Sequence, residues 1–300
     1  MNNLQFTIQE INALQPLQVV EHTGIRDRFI YIWNTLWGEG TGEAAYEREA
    51  SYFNIQLREN PNFQKATPFS IFNAFIDLAI SGLSLEPGAR ALAYLIGRNV
   101  NIGTKEAPRW EGRLKLTISA YGELVMRIRS GQIRHADNPV LVYANDEFSF
   151  SDRSGRKEVD YICHLPHTGQ PIIACYLRIT RCDGTIDYSV MTEEDWARLA
   201  GFSARQNKGT ANALYGIDKS GSMHIDSGFL MAKCIKHAFK TYPKVRIGKG
   251  TEMQTEQVQQ DEDVDLDGLY GIAEPQQSPE PTVQNPTPGV SVEVGDDDAF

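Results

Sequence analysis

One break in the chain limits everything that can be built from it. From Gly250 to Phe300 there are 13 acidic residues, five prolines and no Lys or Arg. Such a segment cannot bury enough apolar surface to offset the entropy of ordering it, so it predicts a disordered tail. The folding unit is thereby confined to residues 1–249, read as one domain. Of the 39 acidic residues 26 lie in that body, against all 29 basic ones, a net of +3. The overall charge of −10 therefore describes two objects. One is a near-neutral body able to offer a local positive groove; the other is an acidic tail able to compete for it.

With 41% apolar and 10% aromatic residues, the chain has the makings of an ordinary core. No apolar run approaches the roughly 18 residues of a spanning helix; even 70–85 is broken by Asn73 and Asp77. The first thirty residues lack the basic start and apolar stretch of a signal peptide. Cys163, Cys175, Cys182 and Cys234 are few and scattered, which reads as reduced thiols. A soluble cytoplasmic protein with no membrane partner is expected.

Within the body the hydrophobic period changes once. Ile25, Phe29, Ile32, Trp33 and Leu36 recur at helical spacing over 25–37. A second helix over 43–59 stops at Asn60-Pro61, because proline restricts the residue before it. Thr67 as N-cap and Pro68 at the first position open a third, which Gly82 ends. Strands are then expected at 91–98 and 110–118, with Leu114, Leu116 and Ile118 inward and Arg113, Lys115 and Thr117 outward. Ser119 caps a helix to Arg129 whose inner face is Ala120, Leu124 and Ile128. Six more strands follow at 133–136, 140–144, 147–150, 159–164, 172–181 and 185–191, the last two joined at Cys182-Asp183-Gly184. A short helix over 192–200, a polar loop over 203–222 and a final helix from Asp226 to about Tyr242 complete the body. Helices segregated from a meandering antiparallel sheet, with a ββα unit, make an α+β fold.

Little in this chain suits covalent chemistry. The segment Gly97 to Lys105 superficially suggests a phosphate-binding loop. It has one residue too many, and its Thr and Lys are reversed. No dinucleotide fingerprint or nucleophile elbow is present, so no ATP site and no catalytic residue are expected. Cys163, His164 and His167, with Cys234 and His237, offer ligands to zinc but not in a paired spacing, so no metal is expected. Asp146, Glu147, Asp152, Glu158 and Asp160 supply enough carboxylates for a metal-dependent nuclease, though turn and strand-edge polarity accounts for them equally well.

Positive charge is better organised. Lys233, Lys236, His237 and Lys240 recur at spacings of three and four on the final helix. Arg127 and Arg129 end the helix that Ser119 opens, Arg113 and Lys115 line a strand face, and Arg205 and Lys208 lie in the polar loop. Such groups neutralise phosphates without reading bases, while Trp110, Tyr121 or Phe148 can stack on unpaired ones.

A series of motifs carries a resemblance. Asn60-Pro61-Asn62-Phe63-Gln64-Lys65-Ala66-Thr67-Pro68-Phe69-Ser70 runs into Gly82-Leu83-Ser84-Leu85-Glu86-Pro87 and Ala93-Tyr94-Leu95-Ile96. Beside the stretch Leu114 to Gly131, Val142 to Phe148, Met191-Thr192 and Met231-Ala232-Lys233, it resembles the RecT family of phage single-strand annealing proteins over residues 20–245. The resemblance implies an ATP-independent protein that coats single-stranded DNA and anneals it to a complementary strand, leaving a duplex. It also implies action as a ring or helical filament of its own copies, beside a phage exonuclease. By matching position, Lys233 is the DNA residue it singles out. Two other readings are a single-strand protector that does not anneal and the nuclease named above.

The chain ends Asp296-Asp297-Asp298-Ala299-Phe300, which is similar to the acidic, phenylalanine-ended tips by which bacterial single-strand-binding proteins recruit host enzymes. Asp296, Asp297, Asp298 and Phe300 thus form either a recruiting tip, suited to a basic-rimmed apolar pocket, or a self-inhibiting one.

Overall fold

The computed structural model describes residues 7–104, 106–206, 209–243 and 245. The boundary expected at Gly250, and the tail beyond it, lie outside the described residues.

Two hydrophobic cores organise the body. The first is made by α1 (Ile8–Asn12), α2 (Pro16–Glu21), α3 (Thr23–Trp37), α4 (Gly42–Glu59) and α5 (Pro68–Ser81), closed by the hairpin of β1 (Ala93–Asn101) and β2 (Trp110–Ile118). Helix α5 is its axis. Ile71, Phe72, Phe75, Ile76, Leu78 and Ala79 are all fully buried, so the helix is apolar nearly all round and must be wrapped on every side. Phe75 stacks on Phe29 with centroids 4.6 Å apart and meets Phe53 edge-on at 5.3 Å. Both ends of α5 are chemically marked. The Thr67 hydroxyl accepts from the Ser70 amide, and Gly82 stops the helix at φ +60°. A side chain at Gly82 would meet the Trp37 ring at 2.4 Å, so glycine is required twice over. The segment after α5 is anchored by Glu49, which is fully buried and accepts from the Leu85 amide (2.8 Å) and Arg48 Nε (2.7 Å).

The hairpin alternates as its sequence predicts: Leu114 and Leu116 enter the core, while Arg113 and Lys115 face out. Gly112 allows a close approach, because a Cβ there would stand 2.6 Å from the Lys65 carbonyl. Its own carbonyl accepts from the Thr67 amide.

The second core lies beyond α6 (Ala120–Arg129) and contains β3 (Ile133–Ala136), β4 (Val140–Tyr143), β7 (Ile172–Arg181) and β8 (Ile186–Thr192), covered by α7 (Glu193–Gln206) and α8 (Ser227–Phe239). The long strand β7 is central. It pairs with β8 from Ala174↔Thr192 to Thr180↔Ile186. On its other edge it pairs with β4 near Cys175 and with β3 near Ile179, so those two short strands share one edge end to end. The remaining hairpin, β5 (Glu147–Arg153) and β6 (Arg156–Ile162), turns through Ser154-Gly155 and pairs with itself.

The α+β class therefore holds, with every ladder antiparallel. Several finer expectations change. The strands divide among three sheets instead of one meander, because β5–β6 is inserted between strands that both belong to β7. Helix α7 continues to Gln206, so Arg205 is helical and the polar connection starts later. On α6, Ile128 is 45% exposed while Arg127 is buried. The inner face runs Ala120, Leu124, Arg127, and the buried Arg127 guanidinium reaches the Phe239 and Pro243 carbonyls at the end of α8. Helices α1 and α2, at five and six residues, are too short to register as a period, yet they bury Ile11, Val19 and Val20.

Candidate nucleic-acid interface

Two basic surfaces emerge from different elements. The first is the outer face of the β1–β2 hairpin. Cross-strand register sets Arg98 opposite Arg113 and Ile96 opposite Lys115, so three cations share one face. Like charges directly opposite destabilise a ladder; Glu111 relieves this by accepting from Arg113 Nε at 2.9 Å. Trp110 is 66% exposed. Strand parity places it with Leu114 and Leu116, on the opposite face from Arg113 and Lys115, where it extends past the end of the core. It is therefore not interleaved with the cations the sequence associates it with.

The second surface is assembled around His237 on α8. Burial holds this imidazole below its ordinary range, and the nearby charges of Lys240, Arg198 and Lys157 push it further down against the pull of Asp195. The cation that caps the end of α8 is thus joined by one from α7 and one from β6. Alongside, Asp187 binds Arg181 at 2.7 Å and Lys157 at 3.3 Å and accepts from the Tyr242 hydroxyl at 3.1 Å. Burial pushes the Asp187 carboxyl up, but the two cations outweigh it and leave it below the usual carboxylate range. Sequence spacing finds Lys240 and His237 but misses Lys157, Arg181 and Arg198. They come from separate elements, so only tertiary contact reveals the grouping.

Two cations predicted to face outward, Arg127 and Lys233, are buried, and a third, Arg129, stays exposed while its guanidinium is held by the fold. Arg127 is 6% exposed and reaches across to the end of α8. Its guanidinium donates to Glu123, Gln132 and the carbonyls of Phe239 and Pro243. It also lies 4.7 Å from the Phe239 ring centroid. Arg129 donates to the Gly82 carbonyl at 2.8 Å and covers the Trp37 ring. Lys233 is 6% exposed, its ammonium 5.1 Å from the Phe229 centroid. The expectation that Lys233, Lys236 and Lys240 form one outward face is corrected accordingly. Lys236 is half-buried and only Lys240 is fully at the surface, because α8 is packed between helix α6 and the sheet. Arg205 is exposed, stacked 4.5 Å over Phe202. Tyr121 is half-buried beneath Arg90, and Phe148 lies against Tyr176. Lys208, Asp296, Asp297, Asp298 and Phe300 lie outside the described residues.

The carboxylates weighed for a nuclease do not converge. Asp152 faces Lys157 across the β5–β6 ladder, Glu158 pairs with Arg156 and Glu147 with His164. Asp146 is drawn into a different set with Cys163 and His167, the one such group among the described residues. Burial pushes the Asp146 carboxyl up, but donation from the His164 and Tyr143 amides, His167 and Tyr161 prevails and holds it far below the usual range. Cys234 is instead buried in the second core, its thiol donating to the Cys175 carbonyl.

None of the helices among the described residues is long and apolar enough to cross a membrane. No curated protein matches the chain at a significant level. The model of the RecT family does match, over residues 53–266. That span covers more than two thirds of the chain, from the middle of α4 through both cores, and the chain accordingly belongs to the RecT family of phage recombination proteins that anneal single-stranded DNA.

Proposed function

We propose that this protein binds single-stranded DNA without ATP and anneals it to a complementary strand during phage recombination, working on DNA as an oligomer in the cytoplasm. The family match over residues 53–266 carries the reading. Annealing breaks and makes no covalent bond in the protein, so it requires no catalytic constellation and no nucleotide. It requires screening of phosphate repulsion with bases left available, a task for backbone contacts that are salt-sensitive and blind to sequence.

The outer face of the β1–β2 hairpin and the patch around Lys240, Arg198 and Lys157 support that role, and we assign phosphate binding to their exposed cations. Among the described residues Trp110 is the most exposed aromatic, available to stack. Arg127 and Lys233 act by holding the interface elements in place. The body ends near residue 249, and the acidic tail beyond it regulates access to the basic faces or recruits a host protein through Asp296 to Phe300. An exonuclease encoded beside it supplies the single strands.

Mixing complementary fluorescent oligonucleotides with the purified protein, without ATP, tests the reading. Duplex formation faster than the protein-free control, and absent for non-complementary strands, is expected. Tight single-strand binding with no acceleration would replace annealing by protection. Removal of the final six residues should change binding to host replication or repair proteins if the tip recruits, and single-strand affinity if it inhibits.

A further inference from the structure

The open end of the β5–β6 hairpin gathers three donor atoms of different chemistry. Glu147 and Ile162 form the last pair of that ladder. Asp146 and Cys163, the next residue on each strand, therefore flank its mouth, and the chain loops back to bring His167 to the same place. His167 Nε2 stands 2.9 Å from Asp146 Oδ1 and 3.7 Å from Cys163 Sγ. All three donor atoms lie within 4.8 Å of one another.

Both contacts fall on one ring nitrogen. A nucleophilic relay needs the thiol on one imidazole nitrogen and the carboxylate on the other, so these residues do not assemble one. Convergence on a single nitrogen is the geometry of ligands around a common centre. With bonds of about 2.0–2.3 Å, ligands of a tetrahedral zinc ion stand roughly 3.4–3.6 Å apart, and small movements bring this set there.

We propose that Asp146, Cys163 and His167 form a site for a transition-metal ion of the zinc class, with a water molecule as fourth ligand. The donors select the metal: thiolate and imidazole suit Zn²⁺ or Co²⁺ and disfavour Mg²⁺ and Ca²⁺. The surroundings orient the donors as outer partners of a metal site do. The His164 amide donates to Asp146 Oδ1 at 2.8 Å, while the Tyr143 amide and Tyr161 hydroxyl donate to Oδ2 at 2.9 and 3.1 Å. The Tyr143 ring stacks on the His167 imidazole at 4.0 Å. On binding, the ion takes the place of the thiol proton, which leaves to solvent. The neutral imidazole binds through Nε2, its one ring proton passing to Nδ1 by exchange with solvent. The bound ion ties the mouth of the β5–β6 hairpin to the loop that leads into β7. This role is separate from phosphate binding.

The test uses the full chain stripped of metal and titrated with Co²⁺. About one ion per chain, with the visible bands of a tetrahedral site and a sulfur-to-cobalt charge-transfer band, is expected. Zn²⁺ should displace the colour and raise the unfolding midpoint. Cys163 is exposed, so Cys163→Ser folds, as circular dichroism checks. It should lose the charge-transfer band and weaken Zn²⁺ binding at least about tenfold. Cys182→Ser, at an exposed thiol elsewhere, should change neither. A folded chain that gives no cobalt spectrum overturns the proposal, as does a charge-transfer band that survives in Cys163→Ser.

Discussion

Replacing Arg127 by alanine separates two roles that a basic residue can have in a DNA-binding protein. In the structure its guanidinium serves four acceptors. Two of them, the Phe239 and Pro243 carbonyls, belong to the C-terminal end of α8 and the turn after it. Breaking a buried charged pair from one side costs about 3–5 kcal/mol. Glu123 keeps 31% of its side chain in water, so its share shrinks towards the ~0–1 kcal/mol of an exposed pair. The neutral acceptors and the packing on Phe239 carry the rest, and the total comes to about 3 kcal/mol. For a body of this size that lowers the thermal midpoint by roughly 6–12 °C. Arg127→Lys should fall between, since it keeps the charge but not the planar fork. Single-strand affinity, measured well below both midpoints, should stay within about twofold, or roughly 0.4 kcal/mol. An unchanged midpoint together with abolished DNA binding would refute the inward assignment of Arg127.

Three further outcomes follow from the geometry. Arg113→Ala with Lys115→Ala should weaken single-strand binding and reduce the log–log salt slope by about 1.4, roughly 0.7 for each phosphate no longer neutralised; an unaltered slope moves the site off the hairpin. Gly82→Ala must accept a left-handed backbone and a clash with Trp37, so a urea series should show a loss of about 2 kcal/mol or more, and a neutral result would mean Trp37 readily gives way. His237 is held below its ordinary 6.5, first by burial and then by Lys240, Arg198 and Lys157. Folding therefore favours its neutral form, and its contribution to stability is complete above about pH 6.5 and lost as pH falls from there through the folded-state value. His237→Gln should flatten that acid-side decline in unfolding midpoints, and a slope identical to the unmodified chain would exclude the histidine as its source.

Local chemistry made much of this fold legible. Thr67-Pro68 and Gly82 bracket α5 to the residue, Asp226 caps α8 through the Phe229 amide, and Asp183-Gly184 turns β7 into β8. Strand alternation put Arg113 and Lys115 outside and Leu114 and Leu116 inside. What escaped was non-local. Nothing in the sequence says that β3 and β4 share one edge of β7, since that pairing crosses the whole β5–β6 insertion. Periodicity also assigns every cation to solvent. Arg127 and Lys233 defeat it because a long aliphatic stem can be buried while its charge finds carbonyls or an aromatic face. The converse error hid Lys157 and Arg198, whose partnership with Lys240 exists only once β6, α7 and α8 have packed. Asp146, Cys163 and His167 were divided between two different metal readings until the hairpin mouth joined them.

The placement of α6 between the two cores has a consequence for how the protein is made. Val125 and Met126 on this helix pack against the first core, while Ala120, Tyr121 and Leu124 serve the second. Every other residue of the first core precedes them in the chain. That half can therefore close on the ribosome as soon as α6 emerges, before the central strand β7 has left the exit tunnel. One face of α6 then remains uncovered until β7 and α8 arrive. Released fragments that end between residues 130 and 170 should carry a finished, protease-resistant first half together with an apolar surface open to chaperones.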